Sequence, residues 1–427
     1  MKHSIQIGKH TFKTDYGFLL ILAALFLTSC FALYNSYNLV APGYGPYYLN
    51  RQIMWYCICF AALFGITRLQ NQSLYKILDS AYKFLMGVLI YMFISRLLYK
   101  VTGHTLPLSP QINGAFSWIV LPIIGSFQAS EFMKIILIIK TSQIIAGFQQ
   151  RHPNPTVAED FQMLIQIARW ALPPMILVLL QPDTGVFIIM TFTLLVLVLC
   201  SGIRKSYMYW LLGIVGGIVL LLFYFYFFHR DILGAVVSQY QLNRIDAWLN
   251  PDDYILGSSN QLYTSLLSLG SAGLTGHGMQ ASIISIPEAH TDFIFAAFGQ
   301  CFGFMGCIFI VLLCLTLDLY LCKMAFNAQN REDRFMIIGA IAMLFYQQFQ
   351  NLGMIVGLVP ITGITLPLIS YGGSSMLSYF ILFGFILNVS PSAKKIYKVK
   401  KLDVKNMKNH MKIKYDQYKS KKTQESQ

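Results

Sequence analysis

The chain has 427 residues, of which 56% are hydrophobic and only 12% charged, with a mean hydropathy of +0.55. Soluble globular chains carry about 25% charged residues, so this composition excludes one. The formal net charge of +14 is not a nucleic-acid signature either, because no soluble domain exists to carry a binding face.

A helix needs about 20 apolar residues to cross ~30 Å of hydrocarbon. Such runs are predicted at 16–36, 51–66, 78–98, 130–148, 168–181, 185–201, 207–228, 292–322, 335–358 and 366–389. Only helices or closed barrels satisfy the backbone in lipid, and the short alternating segments of a barrel are absent. The expected fold is therefore all-α, a polytopic membrane protein of about ten spans. The fifth and sixth runs are short and share the turn Gln181-Pro182-Asp183. Lys9 and Lys13 precede the first run as they would a signal peptide. That run is too long for a cleaved h-region and lacks a small-residue cleavage site, so it reads as an uncleaved span.

With both termini cytoplasmic, 25 of the 32 Lys and Arg residues fall to the cytoplasmic side, against Arg51, Arg96, Lys100, Arg230 and Arg244 opposite. The positive-inside rule supports that orientation. Residues 1–15 then form a cytoplasmic N-terminus, 16–390 the membrane domain and 391–427 a basic cytoplasmic tail, with 229–291 a large extracytoplasmic loop. The tail holds 12 lysines between positions 394 and 422 and is either simply solvated or drawn to anionic lipid. The eight cysteines lie in or beside apolar runs without a C-x-x-C pair, and read as small hydrophobes.

Function must live among the polar segments. The first is Gly114-Ala-Phe-Ser-Trp118 with Gln128-Ala-Ser-Glu-Phe-Met-Lys134. Glu131 and Lys134 share a helix face, as an internal ion pair or as a cavity wall that puts Lys134 near a substrate phosphate. Gln181-Pro-Asp-Thr-Gly185 adds an acid. The 229–291 loop is long enough to be functional or disordered, and its aromatic and aliphatic residues argue for order. It offers Tyr240, Arg244, Asp246 and Trp248, then glycines at 270, 273, 276 and 278. Those glycines allow turns whose N–H groups point at an anion, although flexible turns explain them equally.

Residues 286–295, Ile-Pro-Glu-Ala-His-Thr-Asp-Phe-Ile-Phe, set Glu288, His290 and Asp292 directly before an apolar run. Ionisable groups at a membrane boundary are costly and usually functional. Asp292 is the leading candidate, with capping of the eighth span as its bland alternative. Last comes Pro360-Ile-Thr-Gly-Ile-Thr-Leu-Pro-Leu-Ile-Ser-Tyr-Gly-Gly-Ser-Ser375, containing Ser370 and Tyr371. Such a break is tolerated at membrane depth where protein or a wet cavity satisfies the backbone, and a helix N-terminus there suits anions. Close packing at Gly372-Gly373 is the other explanation.

Taken together, Gly-Ala-x-x-Trp, Gln-x-Ser-Glu-x-x-Lys, Gln-Pro-Asp-x-Gly, Pro-Glu-x-His-Thr-Asp-Phe-Ile-Phe and Thr-Gly-x-x-Leu-Pro-x-x-Ser-Tyr-Gly-Gly-Ser-Ser resemble the FtsW/RodA/SpoVE family. The resemblance covers nearly the whole membrane region, in order. It implies a ten-span bacterial peptidoglycan glycosyltransferase that polymerises lipid II on the outer face of the cytoplasmic membrane. Its implied partners are a class B penicillin-binding protein and other elongation or division proteins, with no nucleic acid. It carries Asp292 over as the essential acid and matches Trp118, Glu131 and Lys134 to positions that matter for activity or cavity structure. The expected reaction has Asp292 as general base on the acceptor GlcNAc 4-hydroxyl, which inverts C1 of the donor MurNAc. The leaving diphosphate would take positive charge from Arg244, Lys134 or a divalent ion such as Mg or Mn. Glu288, His290, Ser370 and Tyr371 are expected to shape the substrate site.

The sequence departs from the family pattern at Ser117 (usually Arg), Ala129 (Pro), Thr184 (Leu), Ala272 (Gly) and His277 (Lys). Gly299-Gln300-Cys301 stands where Gly-Glu-Glu is usual. A lipid II flippase is an alternative, disfavoured by the scarcity of buried ionisable residues, and an inert scaffold would explain the departures. Pro-Glu-Ala-His is FtsW-like, whereas the compact N-terminus and first loop lean the reading toward RodA.

Overall fold

The computed structural model describes residues 2–388 apart from 8–9, 70, 113, 122–124, 238, 255–256 and 258. The predicted basic tail and the end of the tenth run lie outside the described residues. A hairpin of β1 (Lys2–Ile7) and β2 (His10–Asp15) leads into α1 (Tyr16–Asn35), α2 (Tyr44–Thr67) and α3 (Asn71–Thr102). A second hairpin, β3 (Ile119–Leu121) with β4 (Gly125–Phe127), precedes α4 (Ala129–Arg151), α5 (Val157–Leu180), α6 (Thr184–Cys200) and α7 (Lys205–Phe228). Three short helices, α8 (Arg230–Val236), α9 (Gln239–Leu249) and α10 (Asn260–Ser271), occupy the long loop. The chain then runs through α11 (Ile294–Asn327), α12 (Arg331–Ile355) and α13 (Gly373–Leu387).

Each predicted run lies largely in a helix, although residues 366–372 of the tenth precede α13, so the all-α polytopic membrane fold holds. Among the described residues six helices are long and apolar enough to cross a membrane, namely α1, α2, α3, α5, α7 and α11. The central helices α4 and α12 fall short for a physical reason. They pack against each other, and α12 also contacts α6 and α11, so their side chains meet protein rather than lipid. They can therefore bury Glu131, Lys134, Gln347, Gln348, Gln350 and Asn351, each needing a partner inside the bundle. At the other extreme, α7 lies at the rim, with Trp210 70% and Leu220 72% exposed to the surroundings.

Polar caps set the starts of α5 and α6. Thr156 and Glu159 form a reciprocal capping box before α5, and the Asp183 carboxylate accepts the Val186 N–H before α6;. Helix α13 packs chiefly on α2, with Phe380 edge-on to Tyr56 and Phe60.

Helix α11 breaks at Gly303, where φ is 60° and ψ −155°. The glycine-rich loop after α10 fills the break. His277 and Gly278 N–H donate to the Gln300 and Cys301 carbonyls (both 3.0 Å), while Phe304 and Met305 N–H donate to Gly273 and Leu274 (2.9 and 3.1 Å). A Cβ on Gly276 would lie 2.3 Å from the Cys301 oxygen, so only glycine permits the approach. These amides mend a helix, which corrects the expectation that the stretch could serve as an anion nest.

Candidate active site

Three segments distant in sequence meet on the face that carries the long loop. The Pro-Gly segment before α13 has carbonyls that no helix satisfies, and side chains from four helices supply donors. Arg244 Nη1, from α9, donates to the Ile361 oxygen at 3.0 Å. Asn351 Nδ2, from α12, donates to both the Ile364 oxygen (2.7 Å) and the Asp292 oxygen (2.8 Å). From α1 and α2, Ser29 donates to Ile369 (2.7 Å), Gln52 to Ser370 (3.1 Å) and Tyr56 to Leu368. Ser370 Oγ accepts the Leu366 N–H (2.9 Å) and donates to the Thr291 oxygen (2.7 Å), and the Tyr371 N–H donates to the His290 oxygen (3.0 Å). The 288–292 and 360–371 segments are thereby fixed as one unit, since buried backbone groups must be paired.

Asp292 sits in this unit, outside the helix. α11 starts at Ile294 with Phe293 as its N-cap and no side-chain cap bond, so the capping alternative for Asp292 fails and its carboxylate is left for other work. The carboxylate lies against the Gly363 backbone and Arg244: a Cβ on Gly363 would stand 3.3 Å from Asp292 Oδ2 and 3.7 Å from both Arg244 terminal nitrogens. Desolvation, then the nearby Glu288 charge, push the Asp292 carboxyl up to about 6, against the opposing pull of Arg244;. An acid so placed is ionised at neutral pH and still basic enough to take a proton.

Glu288 is exposed, holds a left-handed backbone (φ 54°), and accepts a hydrogen bond from the Thr291 hydroxyl at 2.9 Å. His290 stacks on Tyr48 at 4.0 Å, and its Nδ1 is buried with no hydrogen-bond partner among the described residues. Burial lowers its pKa, so the imidazole is neutral at pH 7 despite the opposing influence of Glu288.

Glu131 and Lys134 lie elsewhere in the bundle. Lys134 is 2% exposed, with its ammonium 2.7 Å from Glu131 and 4.9 Å from the centre of the Tyr379 ring. It meets a carboxylate and an aromatic face, not a space for a diphosphate. Of the two readings of this pair, the geometry supports the internal ion pair, and Arg244 is the cation that approaches Asp292. Nearby, Asp183 accepts from Gln128 Nε2 (2.7 Å) and Ser130 Oγ (3.1 Å), and burial raises its pKa. The Gln128 N–H donates to Ser374 Oγ at 3.0 Å, tying this cluster to the start of α13. Trp118 is half-buried at the head of β3, next to the segment where the Phe116 N–H bonds the Gln181 oxygen.

Sequence reasoning passed over Asn351, Ser29, Gln52 and Tyr48. The run Gln347-Gln348-Phe-Gln350-Asn351 inside an apolar span was the available signal, because amides there must face partners. In the loop, Asp246 is paired with Arg230 and Tyr226, and Trp248 Nε1 donates to the Gly357 oxygen at 2.9 Å, so both are structural. Among the described residues no group of three or more His, Cys, Asp or Glu side chains is placed to hold a metal. Gln300, where an acid was expected, is fully buried: its Oε1 accepts the Ile284 N–H (2.8 Å) and its Nε2 donates to the Ile284 and Ala281 oxygens (3.3 and 3.5 Å).

A family model described as a cell cycle protein, FTSW_RODA_SPOVE, matches residues 13–395. The chain is 33% identical over 324 residues to "Probable peptidoglycan glycosyltransferase FtsW" of Coxiella burnetii, covering 73% of this chain and 78% of that protein. It is 34% identical to "Stage V sporulation protein E" of Bacillus subtilis, covering 65% of this chain and 72% of that one. A solved structure described as "Structural coordination of polymerization and crosslinking by a peptidoglycan synthase complex" superposes with a TM-score of 0.66 at 26% identity, over 88% of this chain and 97% of the other. The rod shape determining protein RodA of Thermus thermophilus shares the fold with a TM-score of 0.60 at 24% identity, over 88% and 96%.

Proposed function

The chain belongs to the FtsW/RodA/SpoVE family, and on that premise we propose that it is a peptidoglycan glycosyltransferase that polymerises lipid II. The observation that carries the proposal is the Asp292 carboxyl, uncapped, raised to about 6 and set beside Arg244. Asp292 takes the proton of the acceptor GlcNAc 4-hydroxyl as that oxygen attacks C1 of the donor MurNAc. The C1–O bond to the lipid diphosphate breaks on the opposite side, and the diphosphate departs with the electron pair. The α-linked donor thereby becomes a β-1,4-linked product. Arg244 balances the diphosphate charge, held in place by its bond to the Ile361 oxygen. Asn351 and Ser370 hold the backbone on either side of Asp292, and a general base of this kind contributes roughly 10²–10⁴-fold.

The basic-residue asymmetry supports placing this site on the outer face of the bacterial cytoplasmic membrane with both termini inside. A class B penicillin-binding protein is the proposed partner, supported by the likeness to a peptidoglycan synthase complex. Gln300 has a structural task of its own, so its departure from the family pattern is accounted for without invoking an inert scaffold.

The test is to purify the chain with the transpeptidase that co-purifies with it and supply fluorescent lipid II. Wild type should build glycan chains that run as a ladder, and Asp292→Asn should build none. Chains made by the Asp292→Asn variant would refute the mechanism. A wild type silent with its own partner would refute the activity.

A further inference from the structure

The first two turns of α2 carry an aromatic row that the mechanism above does not use. Tyr44, Tyr47, Tyr48 and Arg51 are spaced i, i+3, i+4 and i+7, so they share one helix face. The Tyr44 and Tyr47 rings are 52% and 46% exposed. Each neighbours Tyr48, with centroids 6.0 and 5.5 Å away. Tyr48 in turn stacks on His290 at 4.0 Å and meets Tyr371 at 5.0 Å. The Arg51 guanidinium lies over the Tyr47 ring at 5.3 Å, and a Cβ on Gly125 would come within 3.2 Å of its Nη1. The row therefore leads from the surface to a residue two positions before Asp292, between α2 and the β3–β4 hairpin.

Tyrosines at a helix end are commonly an interfacial belt, with rings in the headgroup region and hydroxyls in water. A belt needs no inward stacking and no cation over a ring. The continuity from Tyr44 to His290 and the placement of Arg51 ask for a ligand that is flat on one side and polar at its edge. A hexopyranose answers both demands. Its face of C–H groups suits the electron-rich face of a phenol ring, and its hydroxyl and acetamido oxygens suit guanidinium donors.

We propose that Tyr44, Tyr47 and Tyr48, with Arg51, form a sugar subsite that stacks a hexopyranose ring of the lipid-linked substrate and delivers it to Asp292. The inference rests on the proposed function for the identity of the substrate, yet it is a statement about binding and is tested as one.

In the Asp292→Asn background, Tyr47→Trp places an indole in the row. Indole emission is followed while lipid II, or undecaprenyl diphosphate without sugar, is added, and the Asp292→Asn protein alone is subtracted. A saturable change with lipid II and none with the sugarless lipid is expected. Tyr44→Ala and Tyr47→Ala in the otherwise wild-type complex should raise KM about tenfold with kcat within about twofold, and Tyr47→Phe should restore KM. An equal response to the sugarless lipid, or a KM unchanged while only thermal stability falls, would leave the row as an interfacial belt and overturn the subsite. A sugar-dependent signal from a complex whose wild type makes no glycan would instead refute the proposed reaction and keep the subsite.

Discussion

Asp292 and Arg244 both approach the backbone of Gly363: a Cβ there would stand 3.3 Å from the Asp292 Oδ2 and 3.7 Å from the Arg244 terminal nitrogens. The acid is thereby desolvated on one side and countered by a cation on the other, and its pKa of about 6 is the balance of those effects. Activity should rise with pH as Asp292 ionises near 6 and level off above it, because the base must be deprotonated to act. Arg244→Gln removes the lowering influence, so the rise should move to higher pH. The stability sign is opposite. The folded pKa lies above the usual carboxylate value of about 3.9, so the folded state holds the extra proton between about 4 and 6, and stability falls as pH rises through that window. Asp292→Asn should therefore raise Tm at pH 8 and leave it unchanged at pH 3.5, while abolishing glycan synthesis. Thermal melts at the two pH values check the sign.

Gly363 has a φ of +74°, where an L side chain costs about 1–2 kcal/mol. Gly363→Ala should lower Tm by a few degrees. It should lower kcat far more, because the new methyl would stand 3.3 Å from Asp292 Oδ2 and push the carboxylate from its place. Comparable losses of Tm and of rate, in melts and lipid II assays on the same preparation, would argue that Gly363 serves the fold alone.

Asn351 is fully buried and holds two carbonyls from different segments. Asn351→Leu keeps most of the volume and removes both donors, leaving two buried acceptors at roughly 1–3 kcal/mol each. Glycan synthesis should drop at least tenfold with Asp292 intact, and hydrogen exchange should quicken in both the 288–293 and 360–371 segments. Faster exchange in one segment alone would mean that Asn351 does not couple them.

What could be read from sequence follows the cost of each residue. Asp292 stood out because an acid at a membrane boundary is expensive whatever surrounds it, and the ten spans stood out because lipid demands length. Arg244 was visible as a basic residue on the sparse side, yet nothing local said that α9 would bring it to Asp292. Asn351 was harder still, since an amide in an apolar helix announces a partner without naming it. The glycines at 273, 276 and 278 left the reading open because a tight turn looks the same whether its amides face an anion or a broken helix. Lys134 stayed open between two readings because an i,i+3 pair gives the spacing of the charges and not the Tyr379 ring beside the ammonium.

Gln300→Glu would restore the residue usual at this position, and it should destabilise this protein. The amide both accepts from Ile284 N and donates to the Ile284 and Ala281 oxygens, whereas an ionised carboxylate only accepts. With the site fully buried, the loss should be about 1–3 kcal/mol, read as a lower Tm that recovers as pH falls and the acid protonates. A gain in both Tm and activity at pH 7.5 would show instead that a charge belongs there.

Glu131 and Lys134 allow the ion-pair reading to be separated from substrate contact. Removing one partner of a buried pair strands the other and costs about 3–5 kcal/mol. Glu131→Gln and Lys134→Met should therefore each destabilise strongly. The double variant Glu131→Gln/Lys134→Met should recover most of the loss, since replacing a buried pair with neutral groups is often close to neutral. If Lys134 serves only Glu131, the double variant should also regain glycan synthesis to within about tenfold of wild type. Recovered stability without recovered synthesis would return Lys134 to the substrate. Tm and the rate on fluorescent lipid II, measured for all four proteins, complete the cycle.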